Sequence, residues 1–171
     1  MRKVGGIFIT SLLVTNVSVA YETLGYHETP LRVQFGCVDR YGTLWHGHVP
    51  SFCEMARADL ARPFGLGVSD LLKADLTVPM LELTCRYKTP AFDDEALVVQ
   101  CTLLKPALPL PELLFHYRIV RAATRDEIAR VMTRQIFVRL NGRVIVRLPR
   151  AVRERLDDVW AHLATQPVWS D

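Results

Sequence analysis

The sequence contains no close pair of cysteines. Its four, Cys37, Cys53, Cys85 and Cys101, stand 16, 32 and 16 residues apart, whereas zinc sites and redox dithiols need thiolates about one turn apart. Each lies in an apolar neighbourhood and reads as a buried, reduced thiol; two disulfides would require an exported chain. Charge of either sign is scarce in excess: 21 Lys and Arg against 18 Asp and Glu leave +3, too little to define a nucleic-acid binder or a membrane-surface protein. Ten prolines and nine glycines form no repeat and no low-complexity run, which excludes collagen-like chains, linkers and solenoids. Beyond the N-terminus, no uncharged stretch approaches the ~18 residues of a membrane-spanning helix. What remains is a globular balance, 50% apolar and 23% charged over 171 residues. That is enough chain for one core and too little for two ordinary domains.

Residues 1–28 stand apart as a leader or extension. Met1-Arg2-Lys3 is a small positive start, Gly6 to Val14 is largely apolar, and Ser18-Val19-Ala20 would suit a signal-peptide cleavage. Thr10 and Ser11 interrupt that stretch, and Thr15 and Asn16 follow it. Three readings compete: a signal peptide, an extra strand or disordered leader, and an upstream start preceding the true domain. The expected location is cytoplasmic, or outside the cell if residues 1–20 act as a signal.

Hydrophobic periodicity organises the rest. Leu31 to Phe35 alternates as a half-buried strand does, and Gly36 to His48 is a loop rich in Gly, Asp and His. Val49, Phe52, Cys53, Ala56 and Leu60 then fall at helical spacing, with Pro50 in the first turn. Pro63 and Gly65-Leu66-Gly67 end that helix. Its broad apolar stripe predicts a helix wrapped by a sheet. After a linking segment at Ser69 to Ala74, strands are expected at Thr77–Tyr87, Ala96–Leu104, Leu113–Arg121 and Ile128–Leu140. Asn141-Gly142 signals a type I′ hairpin between two Arg-alternating segments. The prolines of Lys105–Pro111 should interrupt pairing at a sheet edge. Pro149 opens a terminal amphipathic helix reaching about Leu163, completing an α+β layout with an antiparallel sheet on a helix.

Chemistry concentrates in Phe35-Gly36-Cys37-Val38-Asp39-Arg40-Tyr41-Gly42-Thr43-Leu44-Trp45-His46-Gly47-His48, followed on the helix by Glu54-Met55-Ala56-Arg57. This stretch resembles the 4-hydroxybenzoyl-CoA thioesterase-like branch of the hotdog-fold superfamily, which includes the YbgC-type acyl-CoA thioesterases. That branch runs strand, F-x-x-x-D-x-x-G, an aromatic-rich connection, then a helix bearing E-x-A-R. Phe35, Asp39, Gly42, Trp45, His46, Glu54, Ala56 and Arg57 stand at matching offsets. Tyr87-Lys88-Thr89-Pro90-Ala91 with the acidic residues Asp93-Asp94-Glu95 resembles the branch's tyrosine-x-x-proline-alanine turn, and Arg147-Leu148-Pro149 the end of its last strand. The resemblance spans about residues 29–155 and leaves 156–171 as a helix end and tail. It implies a hotdog fold, an antiparallel sheet wrapped around a long central helix. It also implies a homodimer or homotetramer with the site between subunits. Cys37 stands where many relatives are acidic or polar, and Val49-Pro50 replaces a tyrosine-leucine type of pair, so the acyl pocket is not inherited from any one relative.

Thioester hydrolysis needs a carboxylate that attacks or activates water, and donors aimed at the developing oxyanion. Asp39, between strand and helix, suits the first task; taken alone it would read as a loop aspartate capping a turn. Backbone N–H groups near His46 to His48, at the positive end of the helix dipole, suit the second. By resemblance, Asp39 is the catalytic carboxylate and the N–H of His46 polarises the carbonyl. Tyr41 and Trp45 are candidate substrate contacts, and His48 either caps the helix or lines the pocket. Glu54 is the rival carboxylate, because other hotdog branches place their acid on the central helix; otherwise it is an early-helix glutamate favoured by the dipole. Arg57 is expected to be a structural partner. His46-Gly47-His48 has no third metal ligand at a suggestive spacing, so no metal is expected.

The arginines are unevenly spread. Arg118 to Arg155 holds eleven arginines against three acids, a local +8 that leaves −5 elsewhere. Arg134 and Arg143 are candidate contacts for coenzyme A phosphates; the alternative is a solvated sheet edge. The segment lacks the interleaved aromatics of a nucleic-acid surface. The expected function is an acyl-CoA thioesterase with no cofactor beyond the coenzyme A of its substrate. The alternatives are an acyl-carrier-protein thioesterase and a non-catalytic acyl-CoA-binding module.

Overall fold

Strict alternation along one strand divides the molecule into two sides. In Glu112–Arg121, the side chains of Leu113, Phe115, Tyr117 and Ile119 join the main core, while Leu114, His116, Arg118 and Val120 point the other way. The computed structural model describes residues 7–11 and 18–169; the charged start Met1-Arg2-Lys3 lies outside them. In chain order the strands are β1 (Ile7–Ser11), β2 (Ser18–Glu22), β3 (His27–Arg32), β4 (Leu76–Thr77), β5 (Met80–Tyr87), β6 (Ala96–Leu103), β7 (Lys105–Pro106), β8 (Glu112–Arg121), β9 (Glu127–Ile136) and β10 (Val138–Arg139). The helices are α1 (Val49–Ala61), α2 (Val68–Lys73) and α3 (Arg150–Ala164). The central sheet is antiparallel throughout, in the order β3-β6-β8-β9-β5.

On the inner side, α1 buries Val49, Phe52, Cys53, Ala56 and Leu60, the stripe read from the sequence, against β6 and β8. Val152, Leu156, Val159 and Leu163 of α3 close the same core. Each of the Val, Leu and Phe side chains contributes roughly 1.5–3 kcal/mol by leaving water. A 3₁₀ turn at Arg62–Phe64, containing Pro63, ends α1.

The outer side is covered by the two ends of the chain. β2 pairs with β7 and with β1, and buries Val19 and Tyr21 against Leu104 and Leu114. Pro106, on this edge strand, is paired with Tyr21, a place where its missing N–H costs nothing. At the other end, Trp169 stacks on Tyr26 at 5.7 Å and donates its indole N–H to Gln100 at 2.9 Å, with Arg118 over its ring.

Several expectations shift. The first strand of the central sheet is His27–Arg32 and not Leu31–Phe35; Phe35–Cys37 is a 3₁₀ turn. Pro79 splits the expected Thr77–Tyr87 strand into β4 and β5. The expected Ile128–Leu140 strand divides too, since Val138–Arg139 leaves the central sheet to pair with Leu76–Thr77. The segment expected to link helix and sheet is α2. At Asn141-Gly142 only the glycine has positive φ, +83°, so the turn is not type I′. It is a three-residue loop closed by Gly142 N–H to Arg139 O and Arg139 N–H to Arg143 O, both 2.8 Å, with Gly142 as the left-handed bulge residue. Beyond it, Val144 bridges to Val138 and Arg143–Arg147 forms no strand. Those arginines therefore do not alternate on a ladder as expected. Among the described residues no helix is long and apolar enough to cross a membrane.

Candidate active site

Between β3 and α1 the chain doubles back on itself. Val38 bridges Leu44, and Trp45 N–H reaches Cys37 O at 2.8 Å. The tip turns at Gly42 (φ +75°), whose N–H donates to Asp39 O at 3.0 Å. Leu44 N–H donates to Ala91 O at 2.8 Å, which fixes the loop to the turn after β5.

Asp39 is the hub of that loop. Its Oδ1 accepts the N–H of Tyr41 at 2.9 Å and of Thr43 at 3.2 Å, while the Thr43 hydroxyl lies 3.2 Å from both carboxylate oxygens. Desolvation pushes the carboxyl pKa up; the Thr43 and Tyr41 donors and the nearby charge of His46 outweigh it and hold it below the usual carboxylate value. The capping role that Asp39 could have played from sequence alone is thus a real one. The donors leave Oδ2 with only a shared hydroxyl.

Trp45 leads into a 3₁₀ turn at His46–His48 that runs directly into α1. His48 N–H donates to Trp45 O at 2.9 Å, but no acceptor among the described residues takes the N–H of His46 or Gly47. Such orphan donors at a helix start are what an oxyanion needs. A Cβ on Gly47 would lie 2.5 Å from the Trp45 ring, so glycine is required for this close approach. The Trp45 ring also meets the imidazoles of His46 and His48, at 5.4 and 5.3 Å. His48 stands at the helix cap position without a side-chain cap bond. Tyr87, from the end of β5, donates its hydroxyl to His46 O at 3.3 Å. That carbonyl shares a rigid peptide plane with the Gly47 N–H, so Tyr87 also aims this donor. Tyr41 is 89% exposed at the rim, free to meet a ligand.

The other candidates lie elsewhere. Glu54 is spent within the fold: Arg57 holds it on one side, and Gln135 of β9 donates to it at 3.3 Å. Arg57 is a structural partner, as expected. Arg134 points to the outer side, 3.6 Å from Glu82 and 3.9 Å from Glu112. Glu82 is five residues along β5 from Tyr87, about 17 Å at strand rise, so Arg134 is separated from the Asp39 loop by distance and by the sheet itself. Arg143 is exposed on the Asn141-Gly142 loop, where its N–H is capped by Asn141. Part of the local +8 is met by acids from elsewhere in the chain: Arg121 pairs with Glu95, Arg125 with Glu28 and Arg139 with Asp75. Among the described residues no three His, Cys, Asp or Glu side chains gather as a metal site. All four cysteines are free, and burial pushes the Cys53 and Cys101 thiols up.

Thr43, Gly47 and Tyr87 were quoted in the motifs without a role. The D-x-x-x-T spacing that joins Asp39 to Thr43 was the available signal, since short polar side chains cap their own loops. No local signal pairs Tyr87 with His46.

An antiparallel sheet wrapped on one long helix, with a carboxylate loop at the helix start, is the hotdog fold. The thioesterase-like superfamily matches residues 33–156, and the chain belongs to it: it is a thioester hydrolase. A "Putative esterase" of Aquifex aeolicus (strain VF5) is 30% identical over 127 residues, 74% of this chain and 94% of that protein. A hypothetical protein from Aquifex aeolicus has a solved structure similar at TM-score 0.68 and 28% identity, covering 76% of this chain and 98% of its own. A DHNA-CoA thioesterase from Staphylococcus aureus shares the fold at TM-score 0.70 and 23% identity, over 80% of this chain and 91% of its own.

Proposed function

We propose that this chain hydrolyses acyl-CoA thioesters to a free acid and coenzyme A. The carrying observation is the combination of an ionised Asp39, whose Oδ2 holds only a shared Thr43 hydroxyl, and the unpaired N–H groups of His46 and Gly47 at the start of α1. The thioester carbonyl would lie against those amides. Oδ2 of Asp39 then either attacks the carbonyl carbon or takes a proton from the attacking water. Negative charge forming on the carbonyl oxygen meets two donors and the positive end of the α1 dipole, worth about half a charge. The tetrahedral centre collapses by expelling the thiolate, which takes up a proton as coenzyme A leaves. Where water attacked, the acid forms directly; where Oδ2 attacked, a water hydrolyses the resulting acyl-Asp39 anhydride to release the acid and restore the carboxylate. No resident cofactor enters the step. The S. aureus neighbour's name, a CoA thioesterase, supports this reading, as does another neighbour from the same organism solved in complex with CoA.

A second copy of the chain is the expected partner. β5 ends the central sheet, and Met80, Leu81 and Tyr87 along it are exposed together with Phe35 and Met55. A homodimer across that edge, alone or doubled to a tetramer, would cover them. The carrier-protein alternative rests on the exposed Leu140, Val144 and Val146 beside the exposed Arg143 and Arg147, a surface suited to an acidic partner.

The test is a panel of acyl-CoA and aroyl-CoA thioesters assayed with the wild type and Asp39→Asn. The variant is expected to lose about 10²- to 10⁴-fold in kcat/KM. Failure to hydrolyse any CoA thioester overturns the reading. Undiminished turnover in the variant would move the chemistry from Asp39 to Glu54.

A further inference from the structure

The Asp39 carboxylate is held asymmetrically. Oδ1 receives two backbone N–H groups, from Tyr41 at 2.9 Å and Thr43 at 3.2 Å, and a share of the Thr43 hydroxyl. Oδ2 receives only the other share of that hydroxyl, at 3.2 Å. Tyr41 contributes through its backbone, which almost any residue would provide. Thr43 contributes through both backbone and side chain, and its own strand-like position is fixed by the bridge to Phe92.

We infer that Thr43 is the positioning residue of this site: its N–H and hydroxyl clamp Asp39 so that Oδ2 is the oxygen presented to the thioester or to water. The inference rests on Asp39 being the working carboxylate. A carboxylate free to spin about its χ2 would present either oxygen, and its reacting geometry would be populated for a fraction of the time. The hydroxyl bridging both oxygens removes that freedom and, as a donor to the charged form, favours ionisation. The titratable neighbours are few. Cys37, Arg40 and Tyr41 share the loop, His46 and His48 open the helix and Tyr87 comes from β5. The turn packed on Thr43 carries Asp93, Asp94 and Glu95, of which Asp94 pairs with Arg32 and Glu95 with Arg121. A change at Thr43 that preserves shape leaves all of these in place.

Thr43→Val keeps the N–H, the volume and the β-branch, and removes only the hydroxyl. We expect kcat to fall about tenfold, the scale of one hydrogen bond to a charged group, with KM within about twofold. The acid limb of the kcat/KM profile should move to higher pH, and Thr43→Ser should restore both kcat and the limb. In parallel, an NMR titration of the Asp39 carboxyl without substrate should show a higher midpoint in Thr43→Val than in the wild type or Thr43→Ser. A Thr43→Val enzyme with wild-type kcat and an unmoved acid limb overturns the inference. So does a serine variant that behaves like valine. Should the valine variant misfold, the comparison of Thr43→Ser with Thr43→Ala by the same titration carries the test. Asp39→Asn separates the two levels: full activity there removes the carboxylate reading, whereas an inactive Asp39→Asn beside a normal Thr43→Val removes only the clamp.

Discussion

The inner and outer sides of the central sheet are closed by different means. Beneath α1 most contacts are apolar and come from long elements whose patterns repeat, Phe115, Tyr117 and Ile119 with Phe52, Ala56 and Leu60, with Thr133 and Gln135 of β9 as buried polar exceptions. Opposite, apolar Leu114 and Met132 share the strands with His116, Arg118, Arg130 and Arg134, and short pieces from the chain ends cover them. His116 shows what that costs. It is half-buried there, and desolvation with the nearby Arg130 lowers its pKa, so it sits neutral. Arg130 pairs with Glu127 on its own strand and Arg134 lies at ion-pair distance from Glu82 and Glu112, while His116 Nε2 and Glu112 Oε2 are buried without a hydrogen-bond partner among the described residues. The inner side is closed chiefly by apolar contact, and the outer side by a mixture of apolar cover and loose ion pairs.

Breaking that contrast should give graded effects. Leu60→Ala, which opens a hole under α1, is expected to cost about 2–5 kcal/mol in denaturant unfolding. Arg134→Met is expected to cost less, about 1–3 kcal/mol, because it leaves the buried Glu112 oxygen beneath β2 without its cation. If instead Arg134→Met proved stabilising, the outer side would be better served by an apolar cover, and the contrast drawn here would fail. Arg143→Met, on the exposed loop, should change stability by no more than about 0.5 kcal/mol. Its effect on the KM for CoA thioesters is the sharper measurement, since a phosphate contact would raise KM and a solvated edge would leave it alone.

Acid should act on the loop before the core. The Asp39 carboxyl has a folded-state pKa below its usual value. Its stabilising contribution is therefore present above the unfolded pKa and lost as pH falls through the folded one.

The helix and most of the sheet were legible because period 3.6 and period 2 are local properties. α1 lies where Val49, Phe52, Cys53, Ala56 and Leu60 placed it. The start of the central sheet was not, because His27-Glu28-Thr29-Pro30 is polar and contains a proline; as an edge strand it tolerates both. The expectation that Lys105–Pro111 interrupts pairing is corrected at its first two residues, because Lys105–Pro106 pairs with Tyr21–Glu22 and no local pattern carries that information. The division of charge into +8 and −5 was visible as arithmetic, yet only the tertiary fold shows Arg121 meeting Glu95 and Arg125 meeting Glu28. At the site, the Asp39 loop was found through its motif. Its capping geometry is what the hydrogen bonds show, and the proposed chemistry is compatible with it because both backbone donors fall on Oδ1.

That loop has a further consequence. Every donor to the Asp39 carboxylate lies within four residues of it, whereas the His46 and Gly47 amides are placed by a helix packed against the whole sheet. On the proposed assignment, the carboxylate half of the site would thus be written locally and the oxyanion half in the tertiary fold. The two should part company when the protein opens. A transient lifting of α1 would dissolve the anion site and leave the carboxylate still dressed by its own turn, harmless to thioesters until the helix returns.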